Sequence, residues 1–290
     1  MMSLNVLSST QVNQFIECGY TVVEEAFPRK QALTAQDYLW ARLAERGVRK
    51  DDQATWQEPM IRMNENYTDP VFQQCATERL AAAMDDLLGS NRRLHSTKGW
   101  GWWPVNFSVG ADEPWDVPTS GWHWDGSHFR HFVDSPDQGL LALCIFSEVG
   151  PHSGGTLVAE GSHKLVARFL KQHPEGMVLR DATRQCSSEH PWLAQLTDQE
   201  PLKAQSRVSY FMENKYNDGV TSLRVLDTTG SPGDVILCHP FLFHASSQNH
   251  SGIPRFMCNR TAPLKDRPNF QRNDGNYSPL EISIRNALSA

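Results

Sequence analysis

A chain of 290 residues and 32.8 kDa is long enough for one large domain with its own core, and all-β folds of this size are commonly single. Its net charge of -6, a pI near 6.0 and the lack of any Lys/Arg stripe disfavour a nucleic-acid partner and leave a small-molecule substrate as the expectation. The start at Met-Met-Ser-Leu-Asn-Val has no basic and apolar leader pattern, and no run approaches about 18 apolar residues, so no membrane role and a cytoplasmic location are expected.

Helices come first in the chain and strands later. Ser8-x-x-Gln11 reads as a capping box ahead of the stripe Val12, Phe15, Ile16, and Gly19 can close that helix. Tyr20 to Ala26 is β-rich. Gln31 to Arg46 and Glu78 to Leu88 carry leucines at helical spacing and stop at Gly47 and Gly89. From Trp100 onward short β runs dominate: Val105 to Val109, Leu140 to Val149, Thr156 to Ala159, Val235 to Phe243 and Arg255 to Thr261. A helix from His163 to about Gln172, capped by Ser162, opens a long insertion in which Tyr210, Phe211, Met212, Glu213 and Asn214 either line a pocket or form a strand on the core. The expected organisation is one domain over 1–290: a helical part to about 95, a β core from about 96 to 265 carrying a lid-like insertion at about 164–232, and a tail at about 266–290. Six cysteines show no C-x-x-C pair and read as reduced thiols.

Function concentrates in Gly121-Trp-His-Trp-Asp-Gly126, in His244, and in Arg255 eleven residues beyond it. On an extended strand, residues i and i+2 share a face, so His123 and Asp125 can both reach one metal while Trp122 and Trp124 turn away. His244 ends a β-rich run and supplies the third donor. Two histidines and a carboxylate leave positions of a divalent iron open, the geometry of non-haem Fe(II) oxygenases. If His244 and Arg255 lie on adjacent antiparallel strands joined by the loop 247–252, the guanidinium points into the metal pocket and can pair with a dicarboxylate.

Four stretches, Phe15 to Val23, His123-Trp-Asp125, Gly154-Gly-Thr-Leu-Val-Ala-Glu-Gly-Ser-His163 and Gly233 through Arg255, together resemble the phytanoyl-CoA dioxygenase-like family of Fe(II)/2-oxoglutarate oxygenases over most of the chain. The resemblance implies a fold that is mainly β with flanking α-helices, built on a double-stranded β-helix (jelly-roll, cupin-like) core. It implies His123, Asp125 and His244 as Fe(II) ligands, Arg255 on the 2-oxoglutarate C5 carboxylate with Ser246 assisting, and O2-driven oxidation with loss of CO2 and formation of succinate. Because Asp125 is present where a halogenating branch has a small residue, hydroxylation or a related oxidation is expected. No basic cluster for CoA phosphates is evident near the site, which favours a small polar or secondary-metabolite substrate.

Other residues invite weaker readings. Six tryptophans fall between 100 and 124, most of them expected in the core. Trp102 and Trp103 must face opposite ways on a strand, so one can enter the cavity. Asn106 shares the face of Trp102 and is a candidate for the C1 end of 2-oxoglutarate or for substrate. His128, His131 and Arg130 follow the metal segment closely; they either reach substrate or are solvated. His239 rivals His244 as distal ligand, but the spacing to Arg255 favours His244. His163 reads as a turn residue and His250 as exposed. Two other classes fit the same metal face, a zinc-dependent hydrolase with a bound water as nucleophile, which has no need of Arg255, and a non-catalytic jelly-roll binding module, which takes up no iron.

Overall fold

The computed structural model describes residues 4–94, 99–137, 139–203 and 205–289; Met1–Ser3, part of the stretch read for a leader, lie outside it. The chain runs through α1 (Ser9–Cys18), β1 (Tyr20–Val23), α2 (Arg29–Ala44), β2 (Met60–Met63), α3 (Pro70–Gln73) and α4 (Glu78–Leu88). Strands β3 (Trp103–Asn106), β4 (Arg130–His131), β5 (Leu140–Ile145) and β6 (Thr156–Glu160) follow, then α5 (Ser162–Lys171), β7 (Met177–Val178), α6 (Leu179–Glu189) and α7 (Pro191–Leu196). The last third holds β8 (Tyr216–Asn217), β9 (Ser222–Asp227), β10 (Val235–Cys238), β11 (His244–Ser246), β12 (Met257–Ala262) and α8 (Pro279–Ser289).

Local signals set the first elements. Ser8 Oγ accepts from Gln11 N–H while Gln11 Oε1 accepts from Ser8 N–H, and Gly19 ends α1 in the left-handed region that a residue with a Cβ resists. Two antiparallel four-stranded sheets, β1-β10-β5-β12 and β11-β6-β9-β8, form the double-stranded β-helix. Strand β5 is buried along its whole length because both its faces are covered. Leu141, Leu143 and Ile145 meet Val158, Ile236, Leu242 and Met257, whereas Leu140, Ala142 and Cys144 join a larger cluster with Leu39, Leu80 and Leu87 from the helices.

Several expectations change. The run expected as a strand to Phe243 leaves the first sheet at Cys238, turns at His239-Pro240 with Leu242 N–H on His239 O, and enters the second sheet at His244. His244 and Arg255 therefore do not sit on paired strands: β11 pairs with β6 and β12 with β5. The 164–232 insertion is not wholly a lid, since β9 within it pairs with β6 in the core. Ser162 does not cap α5; its hydroxyl accepts from Phe243 N–H. Residues 209–213 form a π-helical turn whose Phe211 packs on Trp192 rather than a strand or a pocket wall. The supposed tail contains α8, packed on α1, α4 and α5. Its start carries a second capping box, Ser278 with Glu281, and Pro279 opens the helix.

Leu143 is fully buried at the centre of β5, so Leu143→Ala should cost about 2–5 kcal/mol through lost transfer energy and a residual cavity. Urea unfolding checks this: the midpoint should fall with the slope unchanged, and a loss under about 1 kcal/mol would show that the inter-sheet layer is not close-packed there.

Candidate metal centre and its cavity

His123 and His244 face each other across a closely spaced antiparallel bridge, His123 N–H donating to His244 O at 3.1 Å and His244 N–H to His123 O at 2.8 Å. Their ring centroids lie 4.5 Å apart. The segment 121–126 is bounded by glycines that turn the chain and is anchored by its tryptophans. Gly121 and Gly126 take φ of +82° and +118°, and a Cβ on Gly126 would lie 2.4 Å from the Phe129 ring. Trp122 Nε1–H donates to Pro118 O; Trp124 Nε1–H donates to His131 Nδ1 while its ring packs on Phe243. With both indoles anchored on the buried face, His123 and Asp125 project together from the other.

Each of the two rings is oriented by a backbone carbonyl two residues back: His123 Nδ1 lies 2.7 Å from Gly121 O and His244 Nδ1 3.0 Å from Leu242 O. These contacts select the Nδ1–H tautomer and free both Nε2 atoms for a metal. Both Nε2 atoms aim at Asp125 Oδ1, from 3.3 and 3.6 Å, and the three donor atoms lie within 4.8 Å of one another. Burial by itself would raise the Asp125 carboxyl, but the hydrogen bonds and charge of His123 and His244 hold it far below the usual carboxylate range. Burial likewise works against a proton on His123, and Asp125 outweighs it, raising the ring above its ordinary value. This is a donor set that fits a divalent cation at its centre. His239 is excluded from it: buried beside Phe15 and His163, it accepts from Phe241 N–H through Nδ1.

The donors open on a cavity of about 460 Å³. Thr156, Ser246 and Met257 line it with His123, Asp125 and His244; Met60, Trp102 and Pro104 add apolar surface, and Arg62, Asn259 and Thr261 add polar groups. Sequence reasoning missed Arg62, Asn259 and Thr261. Asn259 Oδ1 is buried with no hydrogen-bond partner among the described residues. Ser246 stands two residues beyond His244 on β11 and so shares its face. Arg255 is 1% exposed, donating Nε to Gly154 O at 2.7 Å and Nη1 to Pro104 O at 2.9 Å. No acidic side chain among the described residues pairs with it, and burial pushes it down to about 10, which still leaves it charged at neutral pH. Arg255 is not itself among the lining residues, but Pro104, which accepts from it, is, and a buried guanidinium with no acid beside it suits an anionic ligand.

The weaker candidates divide. Trp102 lines the cavity, 48% exposed and with φ of +65°, a strained backbone for a tryptophan, while Trp103 is a core residue donating Nε1–H to Trp100 O. Asn106 does not reach the cavity: its amide donates to Ser247 O and accepts from Val109 N–H, so both ends are committed to the backbone. His128 lies in the wall; Arg130 instead ties β4 to the insertion through Glu175 O and Gly176 O. His131 is neither solvated nor in the wall but a buried prop, Nε2 on Gly126 O and Nδ1 accepting from Trp124. His163 is buried and bonded to Ile16 O, and His250 is exposed. A second chamber, about 610 Å³, shares the walls His123 and Ser127 and carries Arg180 and Arg184 of α6, so two basic side chains do stand next to the site. Their i, i+4 spacing was visible but lay in a stretch with no other cue.

Fold and donor set define the iron(II)- and 2-oxoglutarate-dependent dioxygenases. Residues 15–257 match the model of the phytanoyl-CoA dioxygenase (PhyH) family, and the chain belongs to that family. A probable alpha-ketoglutarate-dependent hypophosphite dioxygenase of Stutzerimonas stutzeri is 23% identical over 296 residues, spanning 96% of this chain and 87% of that protein. Among solved structures, HygX of Streptomyces hygroscopicus with nickel and 2-oxoglutarate bound superposes with TM-score 0.51 at 16% identity, covering 90% of this chain and 88% of that one. AviO1 of Streptomyces viridochromogenes Tue57 gives 0.51 at 14%, over 93% and 99%. At these identities the likeness to solved structures is one of fold. No described helix is long and apolar enough to cross a membrane.

Two outcomes test the centre. Metal binding needs neutral rings, and His123 is raised, so it keeps its proton to higher pH than an ordinary histidine at about 6.5. Mn(II) affinity measured by electron paramagnetic resonance should fall as pH is lowered, with a midpoint above that value; a midpoint below it contradicts the pairing. His131→Ala leaves Trp124 Nε1–H unpaired behind the ligand strand and should weaken metal affinity by roughly 10- to 100-fold in chelator competition.

Proposed function

We propose that His123, Asp125 and His244 hold Fe(II), that Arg255 with Ser246 holds the C5 carboxylate of 2-oxoglutarate, and that the enzyme hydroxylates or otherwise oxidises a small polar or secondary-metabolite substrate. Two observations support this reading: two Nε2 atoms converge on Asp125, and Arg255 is buried with no acid to face it among the described residues, bonded to Pro104, a residue of the cavity wall. The second is what a zinc hydrolase has no use for. When bound, iron and 2-oxoglutarate supply the oxidising power, with O2 consumed and succinate and CO2 released. The chain's own residues orient and exclude. Gly121 O and Leu242 O fix the two rings, Gly154 O and Pro104 O fix the guanidinium, and Met60, Met257 and Trp102 keep water from the space beside the ligands. No protein acid or base is required.

With Fe(II) and 2-oxoglutarate under anaerobic conditions, the protein should show the visible charge-transfer band of a chelated complex. His244→Ala should lose it and His239→Ala keep it; the reverse would transfer the distal ligand. Asp125→Gly should lose turnover and bind iron more weakly. Arg255→Ala removes charge-assisted bonds worth roughly 1.5–3 kcal/mol, raising the KM for 2-oxoglutarate by roughly 10- to 150-fold while iron still binds. Arg255→Lys should fall between, since a point charge replaces a planar fork. An unchanged 2-oxoglutarate requirement in Arg255→Ala would overturn the cosubstrate assignment.

A further inference from the structure

The chamber beside the iron cavity has the chemistry of an anion site. Residues 180, 183, 184 and 187 fall at i, i+3, i+4 and i+7, so one face of α6 presents Arg180, Thr183, Arg184 and Ser187 to it. No acidic residue lines the chamber, and neither guanidinium has an ion pair or hydrogen bond among the described residues. That arrangement is unfavourable for the helix by itself. Two like charges stand four residues apart, and Arg180 lies in the first turn, where the helix dipole opposes a cation. Ser187 is fully buried, and Ser187 Oγ and Thr183 Oγ1 have no hydrogen-bond partner among the described residues. Two orphaned hydroxyls and two unpaired guanidiniums on one face call for a ligand with several acceptor oxygens.

The rest of the lining mixes polar residues, Ser120, Thr197 and Gln199, with apolar surface. The apolar part is Trp122 together with Leu179 and Val178 at the start of α6, Val178 being 45% exposed. His123 and Ser127 belong to both chambers, so a molecule anchored at α6 reaches toward the metal ligands past His123. We propose that this chamber is the substrate subsite and that the substrate is a small organic anion, its carboxylate or phosphorus oxyanion seated on Arg180, Arg184, Thr183 and Ser187 and its short apolar body directed along Trp122 to the iron. The proposal rests on the iron and 2-oxoglutarate reading for what happens at the far end, and not for the anion contact.

Isothermal titration calorimetry of the protein loaded anaerobically with Fe(II) and 2-oxoglutarate tests it, with inorganic phosphate, propionate and neutral propionamide as probes. Wild type should bind phosphate or propionate and not propionamide. The Arg180→Ala/Arg184→Ala double variant, altered only at exposed side chains, should lose at least about tenfold in anion affinity, and Arg184→Lys should retain part of it. Its affinity for 2-oxoglutarate should be unchanged. In turnover, acids that stimulate succinate formation should do so better than their amides, with KM for the acid raised in the variants. Three results overturn the proposal: no anion binding to wild type at millimolar concentration, equal affinity in the double variant, or equal binding of propionamide. Coenzyme A binding more tightly than propionate with the same arginine dependence would overturn the assignment to a small metabolite. Failure of the charge-transfer band in wild type strikes the iron reading alone, because the same titration repeated on the metal-free protein and the double variant judges the chamber by itself.

Discussion

The two reciprocal backbone bonds between His123 and His244 hold residues more than a hundred positions apart in one register, and the site follows from them. A hydrogen-bonded antiparallel pair sets its Cα atoms about 5.5 Å apart and turns both side chains to the same face. A slip of one residue would put Phe243 or Ala245 opposite His123 and send the imidazole to the other side. The pairing of His244 with Val158, and of β6 with β9, resists that slip. Asp125 then needs only two further residues of extended chain to meet both rings. The large tryptophans flanking His123 serve this end: anchored on Pro118 O and His131, they leave the ligands no alternative face.

Arg255 shows the same economy in reverse. A guanidinium almost wholly removed from water costs several kcal/mol unless its charge is met, and two carbonyls meet only part of it. The fold keeps the residue buried nonetheless, in a bridge with Asn106 that also joins β3 to the loop before β12. Asn106 matters here as a brace, its side chain and backbone tying together Ser247, Val109, Asn249 and Arg255. A site that holds an uncompensated cation in a fixed orientation loses little on ligand binding, since the ordering has already been done during folding.

What the sequence made legible was mostly local. The Ser8 and Gln11 capping box, Gly19, and the limits of Glu78–Leu88 need only neighbours within a turn or two, and the i, i+2 spacing of His123 and Asp125 is a property of extended chain. Long-range pairing was not legible. That β11 and β12 belong to different sheets depends on the His239-Pro240 turn and on which strands they meet, and neither is encoded in the eleven-residue spacing of His244 and Arg255. Alternation placed Asn106 with Trp102, yet Trp102 stands just before β3 with positive φ, so the alternation does not extend to it. Polar composition suggested that His131 is solvated, whereas one indole and one carbonyl satisfy both its nitrogens in the interior. The Ser278 and Glu281 box of α8 obeys the same rule as that of α1, in a region whose polar composition reads as a tail.

The insertion between β6 and β9 explains how a site of this kind separates two tasks. Its ends are clamped as neighbouring strands of one sheet, so the long excursion through α5, β7, α6 and α7 adds little closure cost and leaves the register at His244 untouched. His123, Asp125, His244 and Arg255 lie on or beside the sheets; Arg180, Thr183, Arg184 and Ser187 lie on a helix of the insertion. Among the described residues, only His123 and Ser127 face both chambers. Side chains on α6 can therefore change without moving His123, Asp125 or His244, whereas a change in the sheets would disturb both. A fold that confines its chemistry to strand register and its outer wall to an inserted helix can keep one reaction while the molecule it accepts is altered.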